Sequence, residues 1–411
     1  MKENINEQFQ PILLGSDINV YGMARSFHEE YGIVSEAHSA ALLSPTKYSK
    51  IVNVTPHPNF DEPEGFIQAM RLLMKKYQDD SRKLLLVPCG DVYTELVTHF
   101  KEELSERFIC PTVSEDIQEL LSNKVTFYET CENYGLPYPE TLIVTKEDFE
   151  AGNVEILFDY PVALKPANSV EYLDIQFDGR KKAYMLSNFE EVQDILSKIY
   201  AQGYQSEMIC QNFIPGDDSR MRVLNAYVDQ NHQVRMMCLG HPLLEDPTPE
   251  AVGNYVAIMP DYNEAIYQKI KDFLEKINYV GFANFDMKYD ERDGEYKLFE
   301  INLRQGRSSF YVTLGGYNLA KYLVEDYVLG VPFTNTEYGK SNKLWIGVPK
   351  RILKKYIVDG SDKEAAMSYL KNKQYGSTIF YDKDLNFKRY LLVNHIFYQY
   401  IGRYREHFRK K

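Results

Sequence analysis

Short blocks of apolar residues, separated by polar turns, run along the first 120 residues of the chain. The stretch P-I-L-L-G-S-D at 11–17 has the pattern of a buried strand that ends in a glycine turn. Val20 to Tyr31 has helical spacing, and Gly32 is placed to end that helix. A buried strand followed by a helix predicts a parallel α/β unit.

Further blocks continue the same alternation. A strand is predicted at 50–54, an amphipathic helix at 66–77 and another strand at 84–91. Open parallel sheets bind ligands beyond the carboxyl ends of their strands, which is where the turns at Gly15 and Gly90 fall. Neither turn has the G-x-G-x-x-G pattern, so dinucleotide binding is only weakly indicated.

The pattern changes after this region. Ser122 to Tyr134 predicts a helix with a serine N-cap, ended by Gly135. From about 141 the chain is rich in strands that resemble antiparallel pairs, with Asp-Gly turns between some of them. Helices are predicted at about 189–202 and 263–277, and a less regular basic region begins near 336.

Residues 281–304, G-F-A-N-F-D-M-K-Y-D-E-R-D-G-E-Y-K-L-F-E-I-N-L-R, have the composition of two strands joined by a tight turn. A three-residue loop, R-D-G, would place Asp286 opposite Glu300. Alternation along the second strand puts Glu300, Asn302 and Arg304 on one face. Opposed carboxylates repel unless a cation lies between them, and oxygen ligands suit Mg²⁺ or Mn²⁺. A solvated polar strand face is the alternative.

Composition excludes several classes of function. Apolar residues make up 44% of the 411-residue chain, enough for a large core, and the length suggests two or three packed lobes. The formal net charge of −12 argues against a nucleic-acid-binding protein. Five widely spaced cysteines without a C-x-x-C pair indicate neither a zinc site nor a disulfide framework, and they fit a reducing cytoplasm. The sequence shows no signal-peptide pattern and no apolar stretch long enough to span a membrane.

The strings F-D-M-K and F-E-I-N resemble the metal-binding hairpin of the ATP-grasp superfamily of carboxylate–amine ligases. The resemblance implies that Asp286, Glu300 and Asn302 hold two Mg²⁺ (or Mn²⁺) ions between the phosphates of ATP. It also implies catalytic roles for Arg304 and Gly306, which match family positions that face the transferred phosphate or the acyl phosphate.

The same resemblance supplies candidates for the nucleotide site. Lys165 ends the apolar strand P-V-A-L-K and matches the lysine that reaches the α and β phosphates, which makes it a catalytic candidate too. Lys124 matches an earlier lysine of the family. The other candidates are Ser169 in the phosphate-covering loop, Gln211 beside the adenine, backbone groups of Phe213 and Ile214 at its edge, and Asp218 for the ribose. The family's loop is often glycine-rich, whereas A-N-S-V-E-Y-L-D contains no glycine.

An ATP-grasp protein would have an α/β fold with α+β lobes and an N-terminal Rossmann-like pre-ATP-grasp domain. We place the pre-ATP-grasp domain at 1–120 and the small ATP-grasp lobe at 121–212. The large lobe with the metal hairpin then covers 213–335, and a C-terminal basic region packed on it covers 336–411.

Longer strings narrow the resemblance. L-L-G-S-D-I-N-V-Y-G-M-A-R-S-F, K-P-A-N-S-V-E-Y-L-D and E-I-N-L-R-Q-G-R-S-S-F are similar to the bacterial D-aspartate ligase family of peptidoglycan synthesis, and the similarity covers most of the chain. That family implies a cytoplasmic enzyme that uses ATP to join the β-carboxylate of D-aspartate, through an acyl phosphate, to the Lys ε-amine of UDP-MurNAc-pentapeptide. The alternatives are another ATP-grasp ligase with a different carboxylate or amine, and a non-catalytic nucleotide-binding regulator.

A substrate carboxylate needs a cationic clamp. Arg307, Ser308 and Ser309, just beyond the hairpin, are candidates for the α-carboxylate of D-aspartate. Arg25, after the first glycine turn, is another candidate. A structural salt bridge is the alternative role for each arginine.

The chain ends in a basic segment, 388–411, in which Leu392, Ile396, Tyr400 and Tyr404 recur at helical spacing. We favour an amphipathic helix packed on the large lobe. The alternative is a helix at an anionic lipid surface, which would allow peripheral membrane contact.

Overall fold

A computed structural model describes residues 5–168, 171–251 and 253–408. The chain forms two compact units. The larger unit contains Met1–Gln118, Asp217–Phe285 and Asn302–Lys411, and the smaller contains Glu119–Gly216 and Asp286–Ile301. The four regions expected from the sequence therefore fall into two units, and most of the hairpin, Asp286–Ile301, belongs to the smaller one.

The first part of the larger unit is a five-stranded parallel sheet with the order β3-β2-β1-β4-β5. Its strands are β1 (Phe9–Leu14), β2 (Ser35–Ser39), β3 (Val52–Pro56), β4 (Lys83–Pro88) and β5 (Phe108–Ile109). Its helices are α1 (Ile18–Tyr31), α2 (Pro63–Lys76), α3 (Asp91–His99) and α4 (Lys101–Leu104). The strand order reverses between β1 and β4, so the turns at Gly15 and Gly90 lie where such sheets bind ligands. The predicted parallel sheet is confirmed.

Apolar residues on both faces of β1 explain why this sheet is buried. Ile12 and Leu14 belong to one hydrophobic cluster, and Leu13 belongs to another. Helix α1 begins after Asp17, whose carboxylate accepts hydrogen bonds from two backbone N–H groups of the first turn. It ends at Gly32 in the left-handed region, as predicted.

The pattern analysis misses β2, because its sequence S-E-A-H-S has no apolar periodicity. The strand is nevertheless buried between β1 and β3. Two of its polar side chains have polar partners, since His38 Nδ1 lies 2.9 Å from His57 Nε2 and Ser39 Oγ lies 3.3 Å from Ser16 Oγ. Hydrogen bonding within the unit, rather than hydrophobic periodicity, makes this strand possible.

The smaller unit is built on a four-stranded antiparallel sheet with the order β6-β9-β7-β8. Its strands are β6 (Thr141–Val144), β7 (Val162–Pro166), β8 (Tyr184–Leu186) and β9 (Met208–Asn212). Helix α5 (Glu115–Ser122) leads into it, followed by α6 (Lys124–Tyr134), α7 (Lys146–Ala151) and α8 (Phe189–Ala201). The predicted serine cap is wrong, because Ser122 ends α5 and Asn123 caps α6 by accepting from the Val125 N–H. Gly135 ends α6 as predicted.

The rest of the larger unit is organised around an eight-stranded, largely antiparallel sheet of order β14-β13-β10-β11-β12-β16-β17, with β15 paired to β11. Its strands are β10 (Met221–Val228), β11 (Val234–Glu245), β12 (Tyr255–Asp261), β13 (Gly281–Asp290), β14 (Glu295–Asn302), β15 (Glu337–Tyr338), β16 (Leu344–Ile346) and β17 (Tyr375–Gly376). Its α-helices are α9 (Glu264–Lys276), α10 (Phe310–Leu314), α11 (Leu319–Leu323), α12 (Lys350–Tyr356), α13 (Ser361–Lys371) and α14 (Phe387–His407).

Single turns complete the chain. The 3₁₀ turns are Ile5–Glu7, Glu171–Asp174, Asp218–Arg220, Pro249–Ala251 and Asp382–Asp384, and Val324–Val328 is a π-helical turn. Within the described residues, no helix is both long enough and apolar enough to span a bilayer.

The hairpin of β13 and β14 is present as predicted, but its connection is longer. Four residues, 291–294, lie between the strands instead of three. The Gly294 N–H donates to the Asp290 carbonyl at 2.8 Å, and Gly294 has a φ of 77°, which a residue with a side chain adopts at a cost. The three-residue loop is therefore wrong, and the opposition of Asp286 and Glu300 that it implied stays a prediction.

Candidate active site

In the smaller unit, Lys165 is the centre of a polar network on one face of the antiparallel sheet. Its Nζ lies 3.1 Å from Tyr128 Oη, which donates to the Phe299 carbonyl of β14 at 2.9 Å. Gln211 pairs with Ala163, two residues before Lys165, so both side chains point to the same face. Gln211 Oε1 also lies 3.4 Å from Tyr128 Oη. The structure thus brings together two predicted nucleotide-binding residues, joined by a tyrosine that the sequence did not single out.

The surroundings of Lys165 change the pKa of its ammonium group. Burial lowers the pKa of Lys165 to about 8, and the Glu300 carboxylate opposes that shift. The pKa of Lys124 is also lowered, first by burial and then by the positive charge of Lys165. Lys182 and Glu300 act on Lys124 as well. Three lysines and one carboxylate therefore lie within electrostatic reach of each other, a surplus of positive charge that suits an anionic ligand.

The segment after β9 is held in place by a buried lysine of the hairpin. Lys288 Nζ donates to the carbonyls of Ile214 at 2.8 Å and Gly216 at 2.6 Å, and it lies 5.4 Å from the ring centroid of Phe213. The Phe213 N–H donates to the Pro161 carbonyl at 3.2 Å. Two of the backbone groups expected to bind adenine thus have partners within the protein. The adenine role of Phe213 and Ile214 stays a prediction for their other backbone groups.

The two acids of the hairpin differ in exposure. Asp286 on β13 is half-buried, whereas Glu300 on β14 is exposed. Among the residues that the structure describes, no group of three or more His, Cys, Asp or Glu side chains is arranged as a metal site. The metal-binding role of Asp286, Glu300 and Asn302 stays a prediction.

Asn302 ends β14 in the larger unit, and its orientation is fixed by a neighbouring amide. Its Nδ2 donates to Asn284 Oδ1 at 3.1 Å, and its Oδ1 accepts from an Arg304 terminal nitrogen at 3.4 Å. Gly306 packs against the same amide, since a Cβ on Gly306 would lie 2.8 Å from Asn284 Cγ. The Gly306 N–H donates to Asn225 Oδ1 at 3.2 Å. Gly306 thus has a packing reason to lack a side chain, and its predicted catalytic amide has a protein partner.

Arg304 makes a two-pronged ion pair that the sequence did not predict. Its Nε and one terminal nitrogen each lie 2.7 Å from an Asp91 carboxylate oxygen. The Arg304 side chain is 12% exposed and that of Asp91 is 61% exposed. Burial alone would lower the pKa of Arg304, but the Asp91 charge and hydrogen bonds raise it. Asp91 opens α3 beyond the carboxyl end of β4, so the pair lies at the edge of the parallel sheet where ligands were expected.

Two buried amides join the residues after the hairpin to that same edge. Asn19 Nδ2 donates to the Cys89 carbonyl at 2.9 Å and to the Gln305 carbonyl at 3.1 Å. Gln305 Nε2 donates to the Pro88 carbonyl at 3.2 Å. These bonds fix the backbone on which Arg304 stands.

The predicted aspartate-binding residues come directly after Gly306 in the sequence. Arg307 is exposed, and Ser308 and Ser309 are buried at the start of α10. Burial raises the pKa of Asp17, and the charges of Arg307 and Arg304 oppose that rise. Asp17, a residue that the sequence analysis did not select, is therefore within electrostatic reach of Arg307 and Arg304.

Arg25 is engaged elsewhere. Its guanidinium donates to the carbonyls of Ser377 and Thr378 and pairs with Glu29 at 2.7 Å. It also lies 4.4 Å from the ring centroid of Phe310. These contacts agree with the alternative, a structural salt bridge, and Arg25 is not part of the proposed site.

Two other candidates are placed more briefly. Asp218 begins a 3₁₀ turn of the larger unit and is half-buried, and its ribose role stays a prediction. Ser169 lies outside the described residues, and its predicted contact with phosphate stays a prediction.

Comparison with known proteins decides the family. The chain is 60% identical over 413 residues to the D-aspartate ligase of Enterococcus faecium (strain Aus0004), a match that covers 99% of this chain and 98% of the relative. The chain belongs to the D-aspartate ligase family. As a member of this family it is a ligase. No family model matches the chain.

Solved structures agree on the fold of this D-aspartate ligase family member. The L-amino acid ligase from Bacillus licheniformis aligns with a TM-score of 0.54 at 15% identity, over 78% of this chain and 74% of that one. The biotin carboxylase domain of the Hydrogenobacter thermophilus 2-oxoglutarate carboxylase, solved with MgADP, aligns with a TM-score of 0.60 at 13% identity, over 82% and 73%. The ATP-grasp fold expected from the resemblance is confirmed.

Proposed function

We propose that this protein uses ATP to join the β-carboxylate of D-aspartate to the Lys ε-amine of UDP-MurNAc-pentapeptide. The observation that carries the proposal is the cluster of Lys124, Lys165 and Glu300 on the smaller unit, in a chain that belongs to the D-aspartate ligase family. The cluster is a surplus of buried positive charge, and triphosphate is an anion that it would stabilise.

Each predicted nucleotide residue has a role in this proposal. Lys165 and Lys124 bind the phosphates, and Tyr128 holds the Lys165 ammonium in place. Gln211 lies beside the adenine, and Lys288 fixes the backbone of the segment that contains Phe213 and Ile214. Asp218 and Ser169 keep their predicted roles at the ribose and at the phosphate loop.

The residues of the hairpin fit a magnesium ion by their chemistry. Asp286, Glu300 and Asn302 all offer oxygen, and Asn284 fixes the orientation of the Asn302 amide. Mg²⁺ (or Mn²⁺), in two ions by the family resemblance, would neutralise phosphate charge there. Ions of this kind would also remove the repulsion between the two carboxylates.

The chemistry then needs positioning and charge rather than a nucleophilic side chain. The γ-phosphoryl group passes to the β-carboxylate of D-aspartate, which gives an acyl phosphate and ADP. The neutral Lys amine of the acceptor attacks the acyl carbon, the C–O bond to phosphate breaks, and the amine loses a proton. Arg304, held by Asp91, stabilises the negative charge that develops on the oxygens.

Arg307 and Ser308 are proposed to bind the α-carboxylate of D-aspartate, with Ser309 beside them. Asp17 lies within electrostatic reach of Arg307 and is an acid that could accept from the α-ammonium group. The proposal includes a cytoplasmic location, and the five free and buried cysteines fit a reducing compartment.

The test is release of ADP by the purified protein with ATP, Mg²⁺ and the pentapeptide precursor. We expect release with D-aspartate and essentially none with L-aspartate, and the product mass should rise by one aspartyl residue. Lys165→Ala should abolish ADP release, whichever enantiomer of aspartate is supplied. Equal turnover of the two enantiomers, or turnover without acceptor, would contradict the proposed substrates.

A further inference from the structure

Helix α14 is apolar on two adjacent sides, and only one of them is buried. Val393, Phe397 and Tyr404 pack into a hydrophobic cluster of the larger unit. Within the same helix, Phe387 is 77% exposed. The other large exposed side chains are Tyr390, Leu391 and Tyr398, each a little over half exposed. Their spacing of three, four and seven residues places them on one face of the helix.

A neighbouring loop extends this exposed face. Leu42, Leu43 and Tyr48, between β2 and β3, are each more than two-fifths exposed. The loop is bound firmly to the start of α14, because Arg389 donates to the carbonyls of Pro45 and Lys47, both at 3.0 Å. We call these seven exposed side chains the aromatic face: Leu42, Leu43, Tyr48, Phe387, Tyr390, Leu391 and Tyr398.

The attachment of the loop to the helix is rigid. Arg389 is fully buried and pairs with the equally buried Asp384 at 2.8 Å. Asn386 Nδ2 donates to the Tyr48 carbonyl at 2.9 Å. A surface that displays large apolar side chains on a braced support keeps them in water at a continuing cost, which is typical of binding surfaces.

Three cationic side chains lie beside rings of the aromatic face. Lys47 and Lys388 lie 5.4 and 5.8 Å from the ring centroid of Tyr48, and Arg351 lies 5.7 Å from that of Tyr398. From Leu385 to Arg405 the sequence contains no acidic residue, although the whole chain has a net charge of −12. The face is therefore a locally basic region on an acidic protein.

This distribution of charge selects the partner. A second copy of the chain packed on this face by two-fold symmetry would set the basic region that contains Lys388 against the same basic region of its partner. An anionic bilayer surface supplies the missing negative charge, and its interfacial zone accepts exposed Phe, Tyr and Leu side chains. We propose that the aromatic face is a peripheral binding site for anionic lipid membranes.

The proposal reconciles the two interpretations of the basic C-terminal segment. The buried side of α14 packs on the larger unit, and the adjacent exposed side with the loop at 42–48 faces the lipid. The inference does not depend on the identity of the substrates, because the contacts and charges involve none of the residues assigned to the active site.

Vesicle co-sedimentation of the full-length protein tests the inference. We expect binding to phosphatidylcholine vesicles that contain phosphatidylglycerol, weak binding to phosphatidylcholine alone, and loss of binding at high salt. Phe387→Ser with Leu391→Ser should abolish the binding. Lys388→Glu should weaken it by about five-fold or more, since each basic residue near such a surface contributes roughly 1 kcal/mol.

The matched control is Leu72→Ser with Leu157→Ser, which removes two exposed leucines outside the aromatic face. This variant should bind vesicles like the wild type, and all variants should keep ADP release and thermal stability. Three results would overturn the inference: no binding by the wild type, equal binding by the Phe387/Leu391 variant, or a sedimentation-velocity change that shows self-association through this face without binding to vesicles.

Discussion

The two units hold their cations in different ways. In the smaller unit, the polar contact of Lys165 is a tyrosine hydroxyl, and burial lowers the pKa of Lys165 to about 8. In the larger unit, Arg304 has both carboxylate oxygens of Asp91 within 2.7 Å, and its pKa is raised. The lysine is less stable as a cation than in water, while the arginine is more stable.

This difference in pKa predicts a different role for the cation of each unit. A lysine in that environment gains stability when an anion arrives, so it favours binding. An arginine that already pairs with a carboxylate gains less from a second anion than an unpaired cation does, but its charge is held in a well-defined position. We therefore expect changes in the smaller unit to affect nucleotide binding and turnover, and changes at Asp91 to affect turnover more than binding.

The largest expected effect would come from the carboxylate beside the lysines. Glu300→Gln should lower the rate of ADP release by about 1,000-fold, because it removes a proposed metal ligand and the negative charge near Lys165. Asp286→Asn should act alike, with little change in thermal unfolding. Glu295→Gln, an exposed acid at the start of the same strand, is the control and should resemble the wild type. Near-wild-type activity of Glu300→Gln would remove it from the site.

Asp91→Asn sharpens the comparison from the other side. Loss of the ion pair should free the Arg304 guanidinium and lower kcat by roughly 10-fold to 100-fold, with a small change in the KM for ATP. The melting temperature should change little because Asp91 is largely exposed. Asp91→Glu, which keeps the charge, should restore part of kcat. A change confined to the KM for ATP would mean that the contrast between the units is wrong.

Arg307→Ala should raise the KM for D-aspartate by about ten-fold while leaving that for ATP nearly constant, because a charge-assisted contact with carboxylate contributes a few kcal/mol at most. Steady-state kinetics with each substrate varied in turn would measure both values. Arg71→Ala, which breaks an exposed ion pair with Glu103, is the control. An unchanged KM for aspartate would exclude Arg307 from the clamp.

The smallest predicted effect is the uptake of a fraction of a proton when ATP binds. With a pKa of about 8, Lys165 is mostly neutral at pH 9 in the free protein, and phosphate would favour its charged form. ATP binding should therefore take up protons at pH 9 and almost none at pH 6.5, so affinity should fall as pH rises through 8. Calorimetry in buffers of different ionisation enthalpy measures this uptake, which Lys165→Arg should eliminate. Buffer-independent heats at pH 9 would contradict the shifted pKa.

Much of the local structure followed from patterns in the sequence. The helix ended by Gly32, the helix ended by Gly135 and the hairpin near residue 290 each depend on side chains that are close in sequence. The strand β2 and the length of the hairpin loop did not follow. A buried polar strand depends on distant partners such as His57, and one extra loop residue leaves the apolar pattern unchanged.

The candidate site divides in the same manner. Residues with strong local context, such as Lys165 after its apolar strand, were identified in advance, and the structure places Lys165 with Lys124 and Glu300. Tyr128, Lys288 and Asp91 were missed, because a tyrosine in a helix or an acid after a glycine has no local signal of function. Their roles come from atoms that meet across long separations in sequence.

The sequence by itself determined the reaction class and the family, because motif spacing and characteristic strings can be recognised without knowledge of contacts. Only the tertiary structure decided which cations remain available to a ligand. Arg25 and Arg304 look alike in sequence, yet one is held by backbone carbonyls and the other by Asp91. Hydrogen bonding and electrostatics act through space, so the partner of a charged side chain is set by the fold and not by its neighbours along the chain.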